Sequence, residues 1–240
     1  AASERAARLV KYILKRIGAS LFTLIIILSV VFILLRQMPI EGYFDNFDKL
    51  DQAVIDARLQ QMGLKAPILQ QMLRFFTGLL HGDLGISARY SVGAPIADII
   101  AQKAPLSIQM GVLSMALAIA LGIPLGGAMA RSKSKFWDRF GTAFIVFVNA
   151  IPAAVYYIYI QSYGSNALGI SMLFDRSRAI SWVLPVFSMS LGNIAYYAMW
   201  LRRYMLDELN KDYVQLARAK GVASRNITMG HVFRNAFVPM

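Results

Sequence analysis

The residues whose types and spacing best suit contact with another molecule lie in a basic segment, residues 207–239, after a long apolar run. An acidic start and a basic end complement the dipole of a helix, so their order predicts a short helix at residues 207–220 on the water side of a membrane. The acidic residues near its start and the basic residues at its end are Asp207, Glu208, Asp212, Arg218 and Lys220.

A glycine stop follows this predicted helix. Gly221 is the residue type that most easily takes the left-handed conformation after a helix, so we expect a positive φ there. Ser224 offers an N-cap for a second helix that runs toward His231 and Phe233. The segment therefore predicts two short helices with a hinge at Gly221.

Catalytic motifs are missing from the sequence. It contains no cysteine and two histidines that are far apart, and we interpret the sequence His81-Gly82-Asp83 as structural rather than metal-binding. The sequence has no Gly-x-x-x-x-Gly-Lys-Ser/Thr phosphate loop, so we expect no ATP hydrolysis by this chain. It has no His-Glu-x-x-His and no Gly-x-Ser-x-Gly motif, so it lacks the residues of a metalloprotease or a lipase. The charge-free runs hold no acid, which argues against a proton-coupled transporter. We expect no catalytic residue, no metal and no cofactor in this chain.

Composition favours a membrane protein. Apolar residues make up 57% of the 240 residues, against about 45–50% in soluble domains. The net charge of +12 does not indicate nucleic-acid binding here, because the bases cluster beside the apolar runs in the way that marks cytoplasmic loops. We expect a multi-pass protein of a bacterial or archaeal inner membrane, in contact with lipid and with its N-terminus in the cytoplasm.

The apolar runs divide the chain into spans and loops, and predict an all-α, polytopic transmembrane fold. Residues 131–139 join the second and third spans on the basic, cytoplasmic side. The other segments are 1–16 (cytoplasmic), 17–35 (first span, uncleaved), 36–105 (outer loop), 106–130 (second span), 140–160 (third span), 180–201 (fourth span), 202–235 (cytoplasmic loop) and 236–240 (start of a further span).

Polar and small residues inside the spans suggest internal contacts. Asn149 and Asn193 are candidates to line a translocation path, and a simple hydrogen bond between helices is the alternative for Asn149. Gly122 and Gly126 are spaced by four residues, which allows two helices to approach closely, and Pro124 should kink the second span.

The outer loop has its own helical pattern. Apolar spacing predicts helices over residues 50–62 and 66–80, and a turn follows at residues 82–87. We expect this loop to be ordered.

The cytoplasmic loop resembles the coupling loop of inner-membrane subunits of binding-protein-dependent ABC importers, of the dipeptide/oligopeptide branch. The resemblance rests on a run of the form DYV..ARAKG followed by RNA..P. The general family loop starts Glu-Ala-Ala; here Gln215 and Leu216 replace its first two residues, while Ala217 and Gly221 match. The Gly-Asp-Leu-Gly turn of the outer loop is also similar to this family, and that resemblance implies a helix at residues 95–101 after the turn. The residues assigned to the coupling loop are Asp212, Tyr213, Gln215, Leu216, Ala217, Arg218, Ala219, Lys220 and Gly221.

The resemblance implies the fold of a type I (MetI-like) ABC importer permease and peptide translocation by alternating access. It implies a second homologous permease subunit, two ATPase subunits that bind ATP and magnesium, and an extracytoplasmic binding protein. Tyr213, Leu216 and Ala217 would pack against an ATPase groove, and Arg218 and Lys220 would supply polar contacts. The resemblance also implies two more spans beyond Met240.

Two alternatives remain open at the level of the sequence. The same architecture serves importers of nickel, opines or oligosaccharides, because the binding protein largely selects the substrate. A non-transporting membrane scaffold that docks a cytoplasmic partner would show the same spans and loop.

Overall fold

A computed structural model of the chain describes residues 2–44, 47–87 and 90–240. Every secondary-structure element of more than one residue in these ranges is a helix. The described residues contain no β-strand, only one isolated bridge between Ile86 and Pro95. The fold is therefore all-α, as predicted. The longer helices are α1 Ala2–Arg36, α2 Gln52–Gln61, α3 Ile68–Leu80, α4 Ile96–Arg131, α5 Phe136–Ala150, α6 Ala153–Leu168, α7 Val183–Leu209 and α8 Asp212–Ala219. A last helical stretch comprises α9 Ser224–Asn226, a π-helical turn Ile227–Val232 and α10 Phe233–Phe237.

Residues 1–103 form one compact unit. Its helix α1 exposes most of its apolar side chains, as expected of a helix that faces lipid. The loop after it has a small core of Phe44, Ile55 and Leu59, which lets α2 pack on the short helical turns before it. The two helices expected in this loop are confirmed as α2 and α3.

Residues 104–240 form the second compact unit, in which α7 packs against both α5 and α6. Close approach of α4 to α7 depends on glycine: a Cβ on Gly122 would lie 2.9 Å from the Ile194 carbonyl oxygen, and one on Gly126 would lie 2.7 Å from that of Ala198. The predicted helix contact through these two glycines is confirmed. Pro124 lies inside α4, which continues without a break to Arg131.

Helix boundaries differ from the predicted spans at several places. Helix α4 begins at Ile96, so the separate helix at residues 95–101 and the second span are one element. The run 140–160 is divided between α5 and α6, which are bent by 102°. Helix α7 continues past residue 201 to Leu209. Charged residues mark where a helix leaves the membrane, not where its hydrogen bonds end, which explains the first and third differences.

The bend has a local cause. Pro152 lacks a backbone N–H and its ring restricts the preceding residue, so Ile151 takes an extended conformation with φ −104° and ψ 128°. Among the residues that the structure describes, three helices are long and apolar enough to cross a membrane: in α1, in α4 and in the stretch Ala179–Leu209. Helices α5 and α6 together make a fourth candidate, as one broken span.

Candidate functional site

Helix α8 follows α7 after a two-residue turn, and it begins later than the sequence predicted. Asp212 lies in its first turn and Arg218 in its last, in keeping with the helix dipole. Asp207 and Glu208 belong to the end of α7, so their assignment to the start of this helix is wrong. The turn at Asn210 and Lys211 separates the two helices because Lys211 is extended, with ψ 150°.

The inner face of α8 is part of a buried cluster. Val214 is fully buried, and Tyr213 and Ala217 pack against the same cluster. Its other buried members are Ala130 of α4, Leu201 and Met205 of α7, and Ile227, Val232 and Ala236 of the last helical stretch. Tyr213 and Ala217 thus support this chain's own core, but both stay partly exposed, so their packing against an ATPase groove stays a prediction.

The outer face of α8 is exposed. Asp212, Gln215, Leu216 and Ala219 recur at the spacing of one helix face, and all four are exposed. Leu216 leaves 57% of its surface exposed at the centre of this face. Arg218 and Lys220 are also exposed, beside the face. These six residues form what we call the α8 outer surface: an apolar centre with charges at both ends.

Gly221 ends α8 in a Schellman motif. Its φ is +75°, which confirms the predicted left-handed conformation. The N–H of Gly221 donates to the Arg218 carbonyl at 3.0 Å, and the N–H of Val222 donates to the Ala217 carbonyl at 3.1 Å. These are the two bonds that define the motif, and they turn the chain sharply away from the helix axis.

The start of the next helix differs from the prediction. Ala223 occupies the cap position with φ −56° and ψ 134°, and no side chain caps the helix, so the assignment of Ser224 as N-cap is wrong. The helix start is instead stabilised by backbone hydrogen bonds: the N–H groups of Asn226 and Ile227 donate to the Ala223 carbonyl at 2.9 and 3.1 Å.

A polar network ties α8 to its neighbours. The Tyr213 hydroxyl donates to Glu208 at 2.8 Å, Lys211 pairs with the same carboxylate at 2.5 Å, and Asn235 of α10 donates to the Tyr213 oxygen at 3.2 Å. Burial raises the pKa of the Tyr213 hydroxyl, and its bond to Glu208 adds to the rise. The same carboxylate raises the pKa of the Lys211 ammonium. The network holds α8 at a fixed angle to α7 and α10.

Sequence reasoning did not identify this network. Glu208 was assigned to the wrong helix, and Asn235 appeared only as part of the RNA..P run. The run RNA..P was the available signal. It follows a motif that contains an aromatic residue, Tyr213, and an asparagine in such a run is a candidate for a hydrogen bond to the aromatic hydroxyl.

A second polar contact fixes the turn between α4 and α5. Arg202 of α7 forms a bidentate pair with Asp138, whose side chain is only 8% exposed, and the N–H of Ser134 donates to the same carboxylate at 2.8 Å. Ser134 has a φ of +64°, which this bond helps to hold. The available signal was Asp138 itself, the one acid among the bases of residues 131–139.

The two candidate path residues are both exposed. Asn149 and Asn193 make no side-chain hydrogen bond in the part of the chain that the structure describes, so the interhelix hydrogen bond considered for Asn149 is not seen there. A cavity of about 420 Å³ opens between α5 and α7. Thr142 and Val146 line it, and Asn149 follows them on the same helix face.

Neither histidine is placed for metal binding. His81 Nδ1 lies 2.7 Å from the Thr77 carbonyl, at the end of α3, and His231 is exposed. Among the described residues, no group of three or more histidine or carboxylate side chains is arranged to hold a metal ion.

Comparison with known proteins gives concordant matches. Residues 122–240 match the model of a family described as binding-protein-dependent transport system inner membrane component. The chain is similar to the dipeptide transport system permease protein DppB of Lactococcus lactis, at 30% identity over 97% of this chain and 76% of that protein. It is 28% identical to the glutathione transport system permease protein GsiC of Pectobacterium atrosepticum and 27% identical to the oligopeptide transport system permease protein OppB of Haemophilus influenzae, with the same coverage.

Proposed function

Because this chain belongs to the family of inner-membrane components of binding-protein-dependent transport systems, we propose that it is a permease subunit of an ATP-driven importer of di- and oligopeptides. The substrate class follows from the relatives, which are named for dipeptide, oligopeptide and glutathione transport. An importer of nickel, opines or oligosaccharides remains the competing assignment, and the binding protein decides between them.

The proposed topology places residues 1–16, 131–139 and 202–235 in the cytoplasm, because these segments carry most of the bases. The chain has no cysteine, so single cysteines at Ser3 and Ser224 can be labelled against a clean background. An impermeant maleimide should label both only after the inner face is opened. Labelling of either position in intact cells would contradict the proposed topology.

The energy for transport comes from partner subunits in this proposal. The sequence has no phosphate-binding loop, so two separate ATPase subunits would bind ATP and magnesium. A second, homologous permease and an extracytoplasmic binding protein complete the assembly that the family membership suggests.

The α8 outer surface is the proposed contact with an ATPase subunit. The observation that carries this assignment is the contrast between its two faces: Val214 anchors the inner face in the core, while Leu216 stands exposed on the outer face. A force on the outer face would reach α7 through Glu208 and through the buried cluster, because both hold α8 firmly. The helix would thus convert closure of the ATPase pair into movement of the spans.

Leu216→Asp tests this contact, because it places a charge in the proposed interface without touching the chain's own core. Docking an unpaired carboxylate in an apolar groove is unfavourable. We expect the variant to assemble in the membrane and to lose peptide-stimulated ATP hydrolysis in proteoliposomes. Leu173→Asp is the matched control, since Leu173 is 82% exposed and lies in the loop between α6 and α7, on the opposite face in the proposed topology.

Equal stimulation in Leu216→Asp, Leu173→Asp and the unchanged protein would show that α8 does not transmit the signal. The substrate is tested in the same proteoliposomes, with the cognate binding protein and a panel of peptides, nickel, opines and oligosaccharides. Stimulation by peptides alone supports the proposal, and stimulation by another class alone replaces it.

A further inference from the structure

A polar cleft lies at the C-terminal end of α1, within the unit of residues 1–103, and the proposed coupling mechanism does not use it. Its volume is about 460 Å³. Side chains of both charges and three aromatic rings line it. The lining includes Arg36, Arg74, Asp83, Gln71, Phe32 and Phe75.

Aromatic packing and glycine turns build this cleft. The Phe32 ring of α1 lies 5.3 Å from the Phe75 ring of α3, which joins the two helices at its base. Gly85 has a φ of +78°, and its carbonyl accepts a hydrogen bond from the N–H of Ile96 at 3.0 Å, which closes the turn after α3. The Tyr43 hydroxyl donates to the Leu35 carbonyl at 2.6 Å and fixes the loop that follows α1.

Two arginines form the cationic part of the cleft. The Arg36 guanidinium lies 4.9 Å from the centre of the Phe32 ring, a cation–π contact that holds it in place. Arg74 follows one turn of α3 after Gln71, and a Cβ on Gly63 would lie 3.6 Å from its Nη1 atom, so its side chain extends toward that turn. Guanidinium groups in such an arrangement are suited to phosphate, because they donate in a planar, bidentate geometry.

Hydrogen-bond acceptors also line the cleft. The Gln71 Nε2 atom donates to the carbonyls of Leu64 and Ala66 at 3.1 and 2.7 Å, which fixes the orientation of the amide. Its Oε1 atom is then buried with no hydrogen-bond partner among the described residues. Asp83 uses one carboxylate oxygen to accept from the Gly85 N–H at 2.8 Å. Because Gln71 Oε1 is covered by protein and Asp83 is exposed, the Asp83 carboxylate is the acceptor that a charged N–H donor of a ligand can reach.

The cleft is also at the level of a bilayer surface. Arg36 comes directly after the charge-free run 17–35, which is close to the length that crosses the hydrocarbon core. Leu34 and Leu35, just below Arg36, are 60% and 52% exposed. A ligand in the cleft would therefore have its head among charged groups and its tail along exposed leucines.

We propose that this cleft binds the headgroup of phosphatidylethanolamine, with the phosphate on Arg36 and Arg74 and the ammonium on Asp83. The zwitterion matches both signs of charge in the cleft. Phosphatidylglycerol supplies the phosphate without the cation, and phosphatidylcholine supplies a cation that cannot donate a hydrogen bond. A free zwitterion such as a dipeptide shares the charges but has no acyl chain.

The test is native mass spectrometry of the full chain, purified with its co-purifying subunits, delipidated in detergent and titrated with each of the three lipids. We expect phosphatidylethanolamine to bind tightest, and Arg36→Gln and Arg74→Gln each to weaken it about tenfold, as loss of a charge-assisted hydrogen bond would. Arg58→Gln is the matched control, an arginine of α2 outside the cleft, and should bind like the unchanged chain.

Asp83→Asn gives a readout that unfolding cannot mimic. The amide keeps an oxygen for the Gly85 N–H but loses the charge, so the preference for phosphatidylethanolamine over phosphatidylglycerol should disappear. Equal binding of all three lipids by the unchanged chain, or unaltered binding in both arginine variants, would refute the proposal. Displacement of the lipid by alanyl-alanine at equal concentration would also refute it, since the cleft would then take a soluble zwitterion.

Discussion

Replacement of Gly126 by alanine tests the close contact between α4 and α7. The added Cβ would lie 2.7 Å from the Ala198 carbonyl oxygen, 3.0 Å from the Ala198 Cα and 3.1 Å from the Leu201 Cβ. Two of these atoms are backbone, so no side-chain rotation can relieve the overlap and the helices must separate. Gly127, the next residue, has nothing within 4 Å of its Cβ position, which makes Gly127→Ala the matched control.

Two opposing contributions set the size of the effect. Alanine stabilises a helix by roughly 0.5–1 kcal/mol relative to glycine, and both variants gain this. Overpacking costs about 1–3 kcal/mol, and only Gly126→Ala bears this cost. We therefore expect Gly126→Ala to lose about 1 kcal/mol in the free energy of unfolding, while Gly127→Ala gains up to about 1 kcal/mol.

The assay is equilibrium unfolding of the full chain in mixed micelles of a mild detergent and dodecyl sulfate, followed by tryptophan fluorescence. Trp182 and Trp200 lie in the stretch Ala179–Leu209 and report on its packing. The decisive result is the sign of the two shifts. If both variants shifted stability in the same direction by the same amount, the glycine contact would not set the distance between the helices.

Three further predictions use the same unfolding measurement. Gly221→Ala should lose about 1 kcal/mol because its φ of +75° places a Cβ in the left-handed region, whereas Gly230→Ala, with open space and no positive φ, should not lose stability. Asp138→Asn should lose roughly 3 kcal/mol, because it leaves the partly buried guanidinium of its partner without a countercharge; a loss below 1 kcal/mol would show that the pair is not structural. Tyr213→Phe should lower the free energy of unfolding by about 1–2 kcal/mol, because it removes the hydroxyl at the centre of the network. The Tyr204 hydroxyl makes no hydrogen bond within the described residues, so Tyr204→Phe should change the free energy of unfolding by under about 0.5 kcal/mol. Equal losses in the two variants would contradict the role of the network.

Much of the helical order could be read from the sequence, because apolar periodicity and glycine act locally. The helices α2 and α3 and the positive φ of Gly221 were predicted and are present. The glycine pair in α4 also indicated a close helix contact, although the sequence did not show that Ile194 and Ala198 of α7 are the residues that meet it.

The ends of elements were predicted less well. Charges and prolines suggested boundaries at residues 105 and 201, but α4 and α7 extend beyond them. Pro105 lies inside α4, so the proline did not end the helix. Pro152, in contrast, follows the end of a helix: α5 ends at Ala150, and the chain bends by 102° into α6. Two prolines with the same local chemistry thus had different outcomes, so proline alone does not predict where a helix ends.

The candidate site shows the same division between local and non-local information. The sequence by itself determined that an exposed, amphipathic helix with a glycine stop follows the apolar spans, since charge order, helix period and backbone freedom are properties of neighbouring residues. Only the tertiary structure decided which face of α8 is available: Val214, Tyr213 and Ala217 turn inward and Leu216 outward. That choice depends on Leu201, Met205, Ile227 and Ala236, which are distant in sequence and bury the inner face only when the helices pack together.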